Sequence, residues 1–303
     1  MKRTQFILAT LAAATGIMLT SCGKKDGASG SGEKKTIIAN VGSDTMVNLA
    51  AAWADAYGKL EPSVSVEVGG GGSGSGVTAL IQDTASIANL SRTFDAKETA
   101  DFTAKHPGKT PKEYMVGYDA MSIFVHKDSP LNEISIEQLA EIYKDGGKIT
   151  KWSELGIQGP GGKDEIVRIT RHSNSGTVHY FQEAVLGKTN GKKNEFRLGA
   201  VVANGSNDVG KIIGQTVNAI GFSGMAYVTP EVKVLKVSKK TGEPGVAPSV
   251  ATTLDKSYPI SRPLFMYTAG EPDGVTKKYL DWILSDAGQK IEEENGYIPL
   301  PKK

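Results

Sequence analysis

Residues 69–76, Gly-Gly-Gly-Gly-Ser-Gly-Ser-Gly, form the densest run of glycine and serine in a chain of 303 residues. Several chemistries use such a run. A Walker A loop needs a lysine to reach the β- and γ-phosphates, but across Gly71–Thr78 Val77 stands in the lysine's place. The dinucleotide fingerprint can be read at Gly69, Gly71 and Gly74, yet Ser91-Arg92 occupies the place of the acidic residue that should follow the next strand. A serine-hydrolase elbow fails because Ser75 stands where its second glycine belongs. A linker would lie between domains, whereas this run lies inside a strand–turn–helix unit. What survives is the physics these motifs share. A helix N-terminus presents unpaired N–H groups and a partial positive charge, and glycine lets an anion approach the backbone.

The same donor chemistry recurs at Gly42-Ser43-Asp44-Thr45 and at Ser173-Asn174-Ser175-Gly176-Thr177. One Ser/Thr turn before a helix is ordinarily an N-cap. Three of them, one glycine-rich and one preceded by Arg171, point to a shared small oxyanion, because a guanidinium fork suits a tetrahedral anion. Nucleophilic and metal chemistry find less support. His172 and His179 lie seven residues apart, not a ligand spacing, and no Ser–His pairing pattern stands out. No catalytic residue, metal or cofactor is expected.

The elements that must position these turns follow from periodicity. Thr36–Val41 reads as a buried strand, and Met46, Ala50, Trp53 and Tyr57 recur at helical spacing as far as Leu60. Val64–Val68 alternates as a strand, Val77, Leu80 and Ile81 begin a second helix, and Ser86–Leu90 is a third strand. Further strands are predicted at Tyr118–His126, Ile166–Thr170, Ala219–Val228 and Arg262–Thr268, with helices at Ile136–Tyr143, after Thr177, and continuously from about Gly274 to Glu294. Strands alternating with helices imply a mostly parallel, doubly wound α/β sheet.

Composition sets the setting. With 39% hydrophobic and 22% charged residues the chain suits one or two ordinary globular domains. Lys2 and Arg3, the apolar Phe6–Leu19 and the following Thr20-Ser21-Cys22 read as a secretory signal over 1–22. Cys22, the sole cysteine, follows a lipobox-like Leu-Thr-Ser and is expected to be the lipidated first residue of the mature chain. Residues 23–35, rich in Gly, Ser and Lys, read as a flexible tether. Loss of Lys2 and Arg3 with the leader takes 35 basic against 33 acidic residues to 33 against 33, which gives no electrostatic footprint for nucleic acid.

The ordered set of motifs Gly42-Ser-Asp-Thr-Met46, Gly72-Ser-Gly-Ser-Gly-Val77, Ala88-Asn-Leu-Ser-Arg92, Ile149-Thr-Lys-Trp-Ser-Glu-Leu-Gly156, Arg171-His-Ser-Asn-Ser-Gly-Thr177, Ala219-Ile-Gly-Phe222 and Gly296-Tyr-Ile-Pro-Leu300 resembles the phosphate-binding lipoproteins of bacterial high-affinity phosphate ABC transporters, across roughly Thr36–Leu300. The resemblance implies a type II-like periplasmic-binding-protein fold: two doubly wound lobes joined by crossover strands, with the ligand in the cleft between them. The expected division is 36–118 plus 266–303 for the first lobe and 119–265 for the second. Thr45 and Met46 match the first-lobe turn that donates backbone N–H and hydroxyl, Ser73 the serine of the glycine-rich turn, and Arg171, Ser175, Gly176 and Thr177 the second-lobe cluster. Ser43, Asp44, Ser91 and Arg92 complete the expected phosphate contacts.

One departure bears on specificity. Members of the family place an Asp after the serine at the end of the third strand, where it accepts the proton of hydrogen phosphate; here that place is Arg92. A carboxylate acceptor favours a ligand that carries a proton and repels sulfate, which carries none at neutral pH. Asp44 is the replacement candidate; the competing reading has Asp44 capping its helix and Arg92 pairing with a structural carboxylate. The function expected is capture of inorganic phosphate and its delivery to permease subunits by a monomeric, lipid-anchored protein at the periplasm or cell surface. The alternatives are a sulfate-type oxyanion receptor and an exported phosphate-ester hydrolase.

Overall fold

The computed structural model describes residues 35–302. The leader, Cys22 and nearly all of the tether lie outside the described residues. The chain opens with alternating elements: β1 (Thr36–Gly42), α1 (Val47–Leu60), β2 (Val64–Gly69), α2 (Ser73–Ile81), β3 (Ile87–Leu90) and α3 (Ala96–Lys105). The long β4 (Lys112–His126) leads to β5 (Glu133–Ser135), α4 (Ile136–Tyr143), β6 (Val167–Arg171), α5 (Gly176–Phe181), the hairpin β7 (Lys188–Thr189) and β8 (Lys192–Lys193), β9 (Val201–Ala203), α6 (Ser206–Gln215) and β10 (Ala219–Gly224). The short β11 (Val232–Val234), β12 (Lys236–Ser238) and α7 (Val250–Leu254) precede β13 (Ser261–Thr268), α8 (Gly274–Ile283) and α9 (Asp286–Glu294).

The main sheet runs β2-β1-β3-β13-β4-β10-β6-β9, with β11 also on β4. Strands β1, β2 and β3 are parallel, and so are β10, β6 and β9. Between these two groups β4 and β13 pair antiparallel with each other and with their neighbours, so the sheet is mixed rather than mostly parallel. β4 pairs with β13 over Lys112–Ala120 and with β10 over Met121–Val125, passing from one group to the other within a single strand. It starts earlier than its apolar core suggests, because Lys112–Met115 alternates between half-buried and exposed yet finds ladder partners in β13.

Helix α1 buries Leu49, Ala50, Trp53 and Tyr57, and the Trp53 Nε1–H donates to the Gly288 carbonyl at 2.7 Å, which fixes α9 against it. One apolar cluster runs continuously under α1, α6, α8 and α9. The opposite face carries two separate clusters, one with Val77, Leu80 and Phe102 and one with Ile142, Trp152 and Phe181. The helix expected over 274–294 breaks at Leu284-Ser285, where Ser285 precedes α9 with extended backbone. The strand expected to reach Val228 stops at Gly224, and Met225–Tyr227 forms a 3₁₀ turn.

Candidate functional site

Four turns meet where the parallel strands end. β1 closes on Gly42, whose φ is +138° and whose absent Cβ would lie 2.3 Å from the Asn89 carbonyl oxygen, so only glycine lets the chain turn beside β3. The Gly72 N–H then donates to the Gly42 carbonyl at 2.9 Å, which ties the glycine-rich turn to the first. Helices α1, α2 and α5 all begin at this convergence, and none carries an acidic residue in its first turn. By contrast α3 and α4 start with complete capping boxes. Thus α1 and α2 start without a side-chain cap and α5 has only the neutral Ser175 hydroxyl, so a bound anion is the natural complement of these helix ends.

Five hydroxyls are buried together. Ser43 Oγ donates to Ser91 Oγ at 3.0 Å, Ser73 Oγ lies 3.4 Å from Ser91 Oγ and accepts from the Ser91 N–H at 3.1 Å. Thr45 Oγ1 and Thr177 Oγ1 are 2.9 Å apart and bridge the first turn to the start of α5. Gly176 stands so close that a Cβ would lie 2.3 Å from Ser73 Oγ and 2.4 Å from Ser91 Oγ. Ser175 caps α5 by accepting from the Thr177 N–H at 3.2 Å. The Met46 side chain is buried and its N–H donates to the Ser43 carbonyl at 2.9 Å.

Asp44 and Arg171 close one side. Arg171 Nη2 donates to Asp44 Oδ2 at 2.6 Å, while Asp44 Oδ1 accepts from the Gly71 N–H at 2.9 Å. Asp44 therefore bridges two turns and does not cap α1, which has no side-chain cap. Arg171 Nη1 donates to Ser206 Oγ at 2.9 Å, and its Nε–H is buried without a partner among the described residues. Burial pulls this guanidinium below its ordinary pKa, opposed by the Asp44 charge beside it. Asn174 latches the groups together across the cleft: its Nδ2 donates to the Gly71 carbonyl at 2.7 Å and its carbonyl accepts from the Gly74 N–H at 3.1 Å.

Arg92 is not brought into this cluster. Its guanidinium makes a bidentate pair with Glu98, at 2.7 and 2.6 Å, and donates to the Thr93 carbonyl at 2.8 Å. Glu98 is also the capping-box glutamate of α3, so the fork is matched to a helix end rather than to the hydroxyls. The expectation that Arg92 faces the anion is corrected accordingly; Ser91, one residue earlier, points into the cluster.

Sequence reasoning missed a second arginine. Arg262 and Asp119, each 1% exposed, sit directly opposite in the β13–β4 ladder and pair through Nη2 at 3.0 Å and Nε at 3.2 Å. Arg262 Nη2 also donates to Thr45 Oγ1 at 3.1 Å and Thr177 Oγ1 at 3.0 Å, and Nη1 lies 3.3 Å from the Ser91 carbonyl. The signal was one acid in Tyr118–His126 and one base in Arg262–Thr268, strands otherwise nearly devoid of charge; buried charges of opposite sign imply a pair. Tyr227, likewise unforeseen, places its Oη 2.6 Å from the Asp44 carbonyl, and burial pushes its pKa up to about 12.

The comparisons with known proteins point the same way. A family model described as a PBP superfamily domain matches residues 27–287. The chain is 34% identical over 276 residues to the phosphate-binding protein PstS of Pseudomonas aeruginosa strain PAO1, covering 88% of this chain and 84% of that protein. It is 30% identical over 310 residues to PstS of Bacillus subtilis strain 168, covering 99% and 95%. Among solved structures, a phosphate ABC transporter substrate-binding protein of Clostridium perfringens with bound phosphate superimposes with a TM-score of 0.76 at 29% identity, covering 88% of this chain and all of that one. An ABC-type phosphate transport receptor of Vibrio cholerae gives 0.67 at 27%.

Proposed function

This chain belongs to the PBP superfamily and, within it, to the family of the phosphate-binding protein PstS, and from that membership we propose that it captures inorganic phosphate between two α/β lobes and hands it to an ABC transporter permease. The observation that carries the reading is the convergence of hydroxyls from both groups of strands, Thr45 and Ser73 with Thr177, beside Arg171 and three helix starts. In this proposal Ser43, Thr45, Met46, Ser73, Ser91, Arg171, Ser175, Gly176 and Thr177 surround the anion, whose oxygens replace the bonds the hydroxyls now make to one another. Asp44 takes the role of proton acceptor: its carboxylate, 17% exposed beside Arg171, repels an ion that has no proton to give and so disfavours sulfate.

The lobes close about β4 and β13. A division at 36–118 plus 266–303 and 119–265 is supported for its first crossing by the switch of β4 from β13 to β10 at Ala120-Met121. From Pro263, opposite Tyr118, β13 pairs only with first-lobe residues of β3 and β4, which favours a second crossing nearer 263 than 266. Export, lipidation at Cys22, a monomeric state and the lack of catalysis belong to the same proposal.

Titration calorimetry with phosphate, sulfate and arsenate tests it. Stoichiometric phosphate binding with sulfate at least about tenfold weaker is expected, and no phosphate heat, or equal sulfate affinity, overturns the assignment. Incubation with a chromogenic phosphate ester separates receptor from hydrolase, since steady turnover would contradict the receptor reading.

A further inference from the structure

One side of the anion cluster is built on Arg262. We propose that Arg262, held by Asp119, is a positioning residue that turns the hydroxyls of Thr45 and Thr177 toward the ligand as hydrogen-bond donors, so that this side of the site favours unprotonated oxygens of the ligand. The inference rests on the oxyanion reading above and deepens it.

A guanidinium can only donate. Arg262 Nη2 reaches Thr45 Oγ1 at 3.1 Å and Thr177 Oγ1 at 3.0 Å, so each hydroxyl oxygen is already an acceptor and its own proton is left to donate. The two hydroxyls share one bond at 2.9 Å. An acceptor-only oxygen replaces that bond and receives both protons. A ligand O–H placed there would compete with Arg262 for the hydroxyl lone pairs and leave a Thr proton without an acceptor, a buried mismatch. The single proton of hydrogen phosphate is therefore directed to the other side of the cluster, where Asp44 stands.

The geometry is fixed on every side. Asp119 Oδ2 holds Nη2 and Nε, and the Tyr180 ring lies 5.5 Å from the guanidinium carbon. The pair is 1% exposed on both sides and internally neutral, so it contributes orientation rather than net charge. Because Thr45 follows β1 and Thr177 opens α5, Arg262 makes both contacts only when the two groups of strands are together. It thereby couples the orientation of the donors to closure.

The experiment is a double-mutant cycle read by titration calorimetry with phosphate. The neutral pair Asp119→Asn/Arg262→Gln leaves no orphaned charge, and Arg262→Lys keeps the charge but lacks the fork. Both are expected to weaken phosphate binding about tenfold or more. Thr177→Val should weaken the native protein by a similar factor and the neutral-pair protein by less than about threefold. Additive losses, or an Arg262→Lys protein within about threefold of the native affinity, overturn the proposal. If the neutral pair does not fold, the Arg262→Lys arm decides alone, with near-ultraviolet circular dichroism confirming its fold. Failure of the unaltered protein to bind phosphate would instead sink the oxyanion reading itself.

Discussion

Gly176 offers the sharpest perturbation of the site. It opens α5 and is absent from the residues with positive φ, so alanine fits its backbone and is the better helix former by about 1 kcal/mol. The added methyl, however, points into the hydroxyl cluster, 2.3 Å from Ser73 Oγ and 2.4 Å from Ser91 Oγ, where ordinary contact begins at 3.4 Å. Both hydroxyls must retreat by about 1 Å, which breaks the 3.0 Å Ser43–Ser91 bond and the 3.1 Å bond from the Ser91 N–H. Displaced by that distance, the two hydroxyls also miss their bonds to the anion, and two such buried bonds at about 1–2 kcal/mol each give a loss in binding on the order of 2–4 kcal/mol. At about 1.4 kcal/mol per decade this is roughly a 30- to 1,000-fold weaker dissociation constant for phosphate. The methyl also occupies space that the anion would take. Calorimetry on Gly176→Ala measures it, with thermal melting as the control. Phosphate affinity within about threefold of native, in a protein that melts normally, would refute the placement of the site.

Asp44→Asn is expected to narrow the preference for phosphate over sulfate, because an amide no longer repels a protonless anion; unchanged relative affinities in calorimetry would remove Asp44 from that role. Arg171→Ala should cost about 100-fold or more in phosphate affinity, since it deletes the fork and orphans Asp44, and near-native binding would contradict it. Glu292, fully buried under β4 where a side chain at Gly117 would collide with it, has its pKa pushed up to about 9 by burial. Its proton is bound in the fold and lost in the unfolded chain above the ordinary value of 4.5, so its contribution to stability is full below that pH and declines toward about 9, by about 1.4 kcal/mol per unit. Glu292→Gln should therefore gain in melting temperature relative to native as pH rises from 5 to 8.5, and parallel curves would refute the assignment.

The glycine-rich turn was legible because its chemistry is local. Gly42, Gly71 and Gly72 need φ values of +138°, +109° and +92°, and runs of Ser and Thr beside them announce donors whatever the tertiary fold. Most strands were legible because their periodicity is local too. The antiparallel insertion of β4 and β13 was not, since only pairing across more than a hundred residues reveals that the two parallel groups are joined by strands of opposite sense. Arg262 and Asp119 showed only as lone charges in apolar segments for the same reason: their opposition is a property of the register. The fate of Arg92 turned on something smaller. Glu98, six residues on, doubles as the N3 residue of a capping box, and the sequence offered no way to weigh that partner against a distant anion.

The charges of the cluster bear on how such a site selects its ligand. Arg171 is matched by Asp44 and Arg262 by Asp119, so these four side chains carry no net charge. Attraction of an anion by uncompensated positive charge would serve sulfate as well as phosphate, and would grow with ligand charge. A site balanced in this way must instead hold its ligand by oriented N–H and O–H donors, which reward geometry and penalise any unpaired group. Tetrahedral shape is then read by the turns, while the single proton is read by where donors end and a carboxylate begins. On the Arg262 side the hydroxyls are turned to donate, and on the Asp44 side stands an acceptor. Phosphate with one proton satisfies both; sulfate satisfies the first and leaves the second facing a negative oxygen.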